Sequence, residues 1–166
     1  DITDKNDLLV VINSFSKSWA MTGWRLGWVT IPENMLKIFE KLNEFNIASP
    51  AAPVQHAGIT AITEGEDFIL DMIKKLSIAR EIAIENLTSF AKVELPIPSA
   101  AFYTFFKVRG VNNSESFCKT TLKDTGVGLA PGTAFGKGGS NWIRICYAKS
   151  PSILREAFKK LKPLLS

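Results

Sequence analysis

A chain of 166 residues, 46% hydrophobic and 22% charged, has the size of one ordinary domain and enough apolar material for a core. A mostly disordered chain is excluded. Twenty basic against sixteen acidic residues leave a net charge of +4, which suits an anionic small molecule and is too mild to point to a nucleic acid. No apolar run approaches the roughly 18 residues of a membrane helix. The polar, acidic start Asp1-Ile2-Thr3-Asp4-Lys5 does not read as a signal peptide. Two cysteines and one histidine are too few for a disulfide framework or a structural zinc site. The expectation is a soluble cytoplasmic domain with no membrane, metal or nucleic-acid partner.

Leu8-Leu9-Val10-Val11-Ile12 is a continuous apolar, partly β-branched run and predicts a strand buried on both faces. Gly27-Trp28-Val29-Thr30-Ile31 predicts a second strand. The intervening stretch from Asn13 to Gly23, rich in Ser and Gly, is expected to lie outside the core. Pro32 breaks the strand and opens a helix in which Met35, Ile38, Phe39, Leu42 and Phe45 share one apolar face. After Ser49-Pro50-Ala51-Ala52-Pro53, a further helix runs from Val54 to Glu64 and stops at Gly65.

Glu66 to Lys92 has no Gly or Pro and repeats apolar residues at helical spacing, which predicts one helix of roughly seven turns. A helix this long suits a transition between domains. Ala101 to Val108 then reads as a strand, Ser114 to Asp124 as a helix stopped by Gly126, and Val127-Gly128-Leu129 as a small strand. Asn141 to Ala148 reads as another strand. Ser150-Pro151 supplies the N-cap and first turn of a final helix that buries Ile153, Leu154, Ala157, Phe158 and Leu161. The alternation of strands and helices argues α/β or α+β.

The stretch that carries chemistry is Ser14-Phe15-Ser16-Lys17-Ser18-Trp19-Ala20-Met21-Thr22-Gly23-Trp24-Arg25-Leu26-Gly27-Trp28. A lysine directly after a buried strand, among hydroxyls and large apolar side chains, is expected to lose part of its hydration. Its amine then becomes available as a nucleophile toward carbonyl compounds. Arg25, between two glycines, offers a rigid fork for phosphate oxygens, and Ser14 and Ser16 add hydroxyls. A Schiff-base lysine beside a phosphate cradle is what an aldehyde-phosphate cofactor needs. The same residues also suit a plainer reading: a strand, a turn and two surface cations over a tryptophan-rich core.

Ser14-x-Ser16-Lys17 with Gly23-x-Arg25-Leu26-Gly27 closely resembles the pyridoxal-phosphate attachment signature of the class I/II aminotransferases, the aspartate aminotransferase-like family of fold type I. Pro98-Ser99-Ala100-Ala101-Phe102-Tyr103 resembles that family's G-A-F-Y strand entry, with Ala100 in place of the usual glycine. Gly128 to Gly136 resembles the loop before its last strand, and Asn141-Trp142-Ile143-Arg144-Ile145 the strand whose arginine binds the substrate carboxylate.

The resemblance implies the C-terminal part of a fold type I transferase, α/β in the large domain and α+β in the small one. Residues 1–64 would end the large cofactor-binding domain, 65–92 form the connecting helix and 93–166 the small domain. Lys17 would form the internal aldimine with pyridoxal 5'-phosphate and act as general base and acid. Ser14 and Arg25 would hold the cofactor phosphate, with Ser16 a weaker candidate, and Arg144 would clamp the substrate α-carboxylate. The reaction implied is amino-group transfer between an amino acid and a 2-oxo acid, in a protein that forms homodimers at full length.

In the family, the aspartate facing the pyridine nitrogen, the aromatic residue stacked on the ring and the partner of its phenolic oxygen all precede the lysine. Asp1, Asp4 and Asp7 do not match that aspartate. The chain is therefore expected to be a fragment that does not transaminate alone. Another enzyme on the same scaffold (a β-lyase, decarboxylase or synthase) and a non-catalytic ligand-sensing domain are the alternatives. Other signals are weaker. His56 has no Ser/His/Asp company, Gly126-x-Gly128 lacks a third glycine, Gly132 to Lys137 is too short for a P-loop, and Cys118 and Cys146 are expected in the core.

Overall fold

The computed structural model describes residues 8–166. The acidic start with Asp1, Asp4 and Asp7 lies outside the described residues. The chain divides into two compact units at Met72/Ile73.

In the N-terminal unit, strands β1 (Val11–Ser14) and β2 (Gly27–Thr30) form an antiparallel pair with Val11 opposite Thr30 and Ser14 opposite Gly27. The one-turn helix α1 (Phe15–Ser18) follows β1 directly. Beyond β2, Pro32 is followed by a 3-10 turn, Glu33–Met35, and then by α2 (Leu36–Asn46). Helix α3 (Ala52–Glu64) carries Pro53 in its first turn, where the missing N–H costs nothing, and ends at Gly65.

Two expectations fail here. The run Leu8–Ile12 is not a strand buried on both faces: the strand begins at Val11, and Leu8 and Ile12 are 76% and 80% exposed. A β-branched apolar run sets strand propensity, but burial needs neighbouring strands and a covering layer, and among the described residues this sheet has two strands. The apolar face of α2 is likewise uncovered, with Ile38, Leu42 and Phe45 exposed. Conversely, the stretch after Asn13 is not outside the core. Phe15 and Met21 join Leu26 in the buried cluster of this unit, against Trp19, Val54, Ala57 and Ala61.

The C-terminal unit is an antiparallel sheet packed on helices. Its strands are β3 (Val93–Glu94), β4 (Tyr103–Val108), β5 (Ala130–Pro131) and β6 (Trp142–Cys146), in the order β3-β4-β6-β5. The helices are the end of α4 (Glu66–Ser89), α5 (Ser114–Thr125) and α6 (Pro151–Leu165). The pleat sends Phe106, Val108, Ile143 and Ile145 inward. They pack with Ala79, Ile82, Ala83 and Leu87 of α4 and with Leu154, Phe158, Leu161 and Leu165 of α6. Tyr147, fully buried, donates its hydroxyl to the Ala101 carbonyl at 3.1 Å. Burial pushes its phenol up from the ordinary range, against an opposing pull from Arg80.

The long helix stops at Ser89 rather than Lys92, whose N–H donates to the Leu165 carbonyl. The small strand lies at Ala130–Pro131, not Val127–Leu129, because the register against β6 sets it: Ala130 faces Arg144 and Pro131 faces Ile143. Strand β3 pairs Val93 with Val108 and is too short to leave a periodic signal. Cys118 is buried as expected, but Cys146 is exposed, because alternation along β6 turns it away from the core face that Ile143 and Ile145 occupy. Burial also pushes the Cys118 thiol up, so less of it is thiolate at a given pH. Iodoacetamide at mild alkaline pH should therefore alkylate Cys146 and spare Cys118 until the chain unfolds. Equal rates, read by peptide mass spectrometry, would contradict this packing.

Candidate functional site

The Ser14–Gly27 segment is a braced turn. Its base is closed by the Ser14–Gly27 pairing and by the Phe15 N–H donating to the Leu26 carbonyl at 3.1 Å. Ser14 caps α1, its Oγ accepting from the Ser16 N–H at 3.0 Å. The Ser16 carbonyl accepts from Thr22 Oγ1 at 3.0 Å, and the Thr22 carbonyl from Arg25 Nη1 at 2.9 Å. Arg25 itself sits in the left-handed region, with φ 53° and ψ 47°. For a residue with a Cβ this costs on the order of 1 kcal/mol, and strain of this kind collects at functional positions.

Beneath the turn, the Phe15 ring lies 5.0 Å from Trp19 and 5.2 Å from Trp28 between centroids. Helix α3 reaches this cluster through Gly58, where a Cβ would stand 2.5 Å from Leu26 Cδ2 and 3.3 Å from Phe15 Cζ. Gly27 is needed for a different reason: a Cβ there would meet the Asn13 backbone oxygen at 2.5 Å.

Ser14, Lys17 and Arg25, named from sequence, thus belong to one turn. The environment expected for Lys17 is not found. Lys17 is exposed, because the large apolar side chains around it are taken up elsewhere: Phe15 and Met21 in the core, Trp19 against Phe15, and Trp24 half in solvent. Ser16 contributes through its backbone, both of whose polar groups brace the turn.

Arg144 stands in the C-terminal unit, on the face of β6 opposite to Ile143 and Ile145. Its guanidinium carbon lies 4.3 Å from the centroid of the Tyr103 ring and 4.1 Å from that of Phe135. Phe135 in turn meets Phe105 edge-on at 5.3 Å. Sequence reasoning missed the roles of Tyr103 and Phe135. Both lie in the stretches that carried the resemblance, and the register that places Tyr103 opposite Cys146, two residues from Arg144, is a property of strand pairing.

The loop that carries Phe135 is held tightly. A Cβ on Gly132 would collide with the Gly139 carbonyl, and Ser114 at the start of α5 donates its N–H to the Ser140 carbonyl at 2.8 Å.

The family model described as aminotransferase class I and II matches residues 1–161. The chain belongs to this family. Among its relatives, the aspartate aminotransferase of Pyrococcus horikoshii is 37% identical over 159 residues, 94% of this chain and 41% of that protein. A probable N-acetyl-LL-diaminopimelate aminotransferase of Bacillus subtilis is 32% identical, over 94% of this chain and 40% of that protein. The crystal structure of an aromatic aminotransferase from Pyrococcus horikoshii superposes with a TM-score of 0.87 at 31% identity, covering 94% of this chain and 42% of the other. The fold is that of the matching segment of fold type I aminotransferases. The chain spans about 41% of the length of the first of these curated relatives.

Class I and II aminotransferases depend on pyridoxal phosphate, and the donors of the Ser14–Gly27 turn fit that group. The Arg25 guanidinium uses one N–H on Thr22 and has others for a phosphate. The Ser14 hydroxyl accepts from Ser16 and retains its own O–H to donate. Lys17, a primary amine, is the chemistry an aldehyde requires.

Substituting Gly27→Ala should open the base of this turn, since the clash is with backbone. Covalent capture of pyridoxal phosphate at Lys17 by borohydride should fall about tenfold or more, while thermal unfolding of the C-terminal unit stays unchanged. Unaltered capture would show that the pairing of Ser14 with Gly27 is dispensable.

Proposed function

We propose that these residues serve a pyridoxal-phosphate-dependent aminotransferase that moves an amino group between an amino acid and a 2-oxo acid. The observation that carries this reading is the turn in which hydrogen bonds run from Ser14 through Ser16 and Thr22 to Arg25, with Lys17 on the one-turn helix inside it. In this reading residues 1–64 end the large cofactor-binding domain, 65–92 are the connecting helix and 93–166 the small domain.

Ser14 and Arg25 hold the cofactor phosphate by a hydroxyl and a charge-assisted hydrogen bond. Lys17 would be the point of covalent attachment, and its amine would carry a proton between the substrate Cα and the cofactor C4′. Lys17 is exposed on α1. Arg144 binds the substrate α-carboxylate through the N–H donors of its guanidinium, which is in cation–π contact with Tyr103 and Phe135. The bound cofactor supplies the electron sink for the carbanion.

The amino-group transfer is proposed for the whole protein, since this chain spans 41% of the length of the aspartate aminotransferase of Pyrococcus horikoshii. The working protein is a homodimer at full length. Two unpaired cysteines suit a reducing compartment, and the cytoplasm is the proposed location. Among the described residues no helix is long and apolar enough to cross a membrane.

The test is to mix the chain with pyridoxal phosphate, reduce with borohydride and map the adduct by peptide mass spectrometry. Labelling should fall on Lys17, vanish in Lys17→Ala and weaken about tenfold in Arg25→Ala, the scale of one lost charge-assisted hydrogen bond. Diffuse labelling over many lysines would contradict the proposal.

A further inference from the structure

On the outer face of the C-terminal sheet lies a cavity of about 600 Å³, walled chiefly by Ile97, Pro98, Tyr103, Phe105, Phe135 and Trp142. Its size is that of a small-molecule pocket, roughly 300–1,000 Å³. None of its described lining residues is charged. Tyr103 and Phe135, whose ring centroids lie 4.3 and 4.1 Å from the Arg144 guanidinium carbon, are also walls of this cavity. A planar guanidinium in contact with aromatic rings keeps its N–H donors at its edge for a carboxylate. A carboxylate bound there lies beside the rings that wall the cavity.

We infer that this cavity receives the side chain of the substrate whose carboxylate Arg144 holds, and that it selects aromatic and large aliphatic side chains over acidic ones. The inference rests on the reading of Arg144 as the carboxylate-binding residue. Phe105 and Phe135, already edge-on to one another, offer an incoming ring the same offset and edge contacts. A second carboxylate in the cavity would lose its water with no lining cation to replace it. Lys107, on the same sheet face, holds its ammonium 4.6 Å from the Trp142 ring centroid and is not part of the lining.

The test is a nuclear magnetic resonance titration of the chain with 3-phenylpropanoate and, separately, with glutarate, which carries an acid where the first carries a ring. Phenylpropanoate should bind at least about tenfold more tightly, the scale on which an apolar pocket discriminates. It should shift the Trp142 indole N–H and the amides of Phe105 and Phe135. Phe135→Ala should remove most of the difference, and Arg144→Gln should weaken both probes. Equal affinities that both fall in Arg144→Gln would overturn the side-chain selection and leave the carboxylate reading standing. A preference for glutarate that disappears in Lys107→Ala would overturn it in favour of an acidic side chain. Indifference of both probes to Arg144→Gln, or no binding of phenylpropanoate, would overturn the inference and the role of Arg144 together.

Discussion

Three hydrogen bonds in series, Ser16 N–H to Ser14 Oγ, Thr22 Oγ1 to the Ser16 carbonyl and Arg25 Nη1 to the Thr22 carbonyl, tie the start of the Ser14–Gly27 turn to its end. All are exposed, and each contributes only about 1 kcal/mol net. They hold the turn because the chain beneath it is fixed. Phe15, Met21 and Leu26 are buried, Gly58 brings α3 to contact with two of them, and the pairing of Ser14 with Gly27 closes the base. The left-handed Arg25 is what this arrangement imposes. An arginine placed there is committed to the turn before any ligand arrives, which lowers the ordering cost of binding an anion.

The C-terminal unit solves a different problem with simpler means. Strand alternation gives Ile143 and Ile145 to the core and turns Arg144 to the other face, so the cation stays out of the apolar layer without extra structure. Among the described residues, Arg144 is held by rings rather than by a counter-ion. Tyr103 comes from the neighbouring strand, and Phe135 from a loop kept in place by the Gly132–Gly139 contact and the start of α5. Contact with rings leaves the N–H donors unspent, where a carboxylate partner would have consumed them.

Much of this was legible in the sequence, and the failures have physical causes. Helices α3, α5 and α6 stand close to where punctuating residues put them: Pro53 and Gly65, Gly126, and Ser150 and Pro151. The grouping of Ser14, Lys17 and Arg25 was legible because it is local. Burial was not. Leu8–Ile12 and the α2 face of Ile38, Leu42 and Phe45 have the spacing of core elements, yet what covers such a face is a matter of partners that spacing does not encode. Exposure of Lys17 was missed for the converse reason, since a tryptophan near a lysine in sequence packs wherever the core lies. The ring clasp on Arg144 was invisible because it depends on β4–β6 register and on a loop, both set by tertiary contacts.

The central claim, that the Ser14–Gly27 turn is a phosphate-and-aldehyde anchor, is tested most directly by titrating the chain with pyridoxal phosphate and following backbone amide shifts. The account predicts saturable shifts confined to residues 14–27, abolished when Arg25 and Ser14 are both replaced by alanine. Shifts spread over the lysines of α6 (Lys159, Lys160 and Lys162), unaffected by that double replacement, would contradict it.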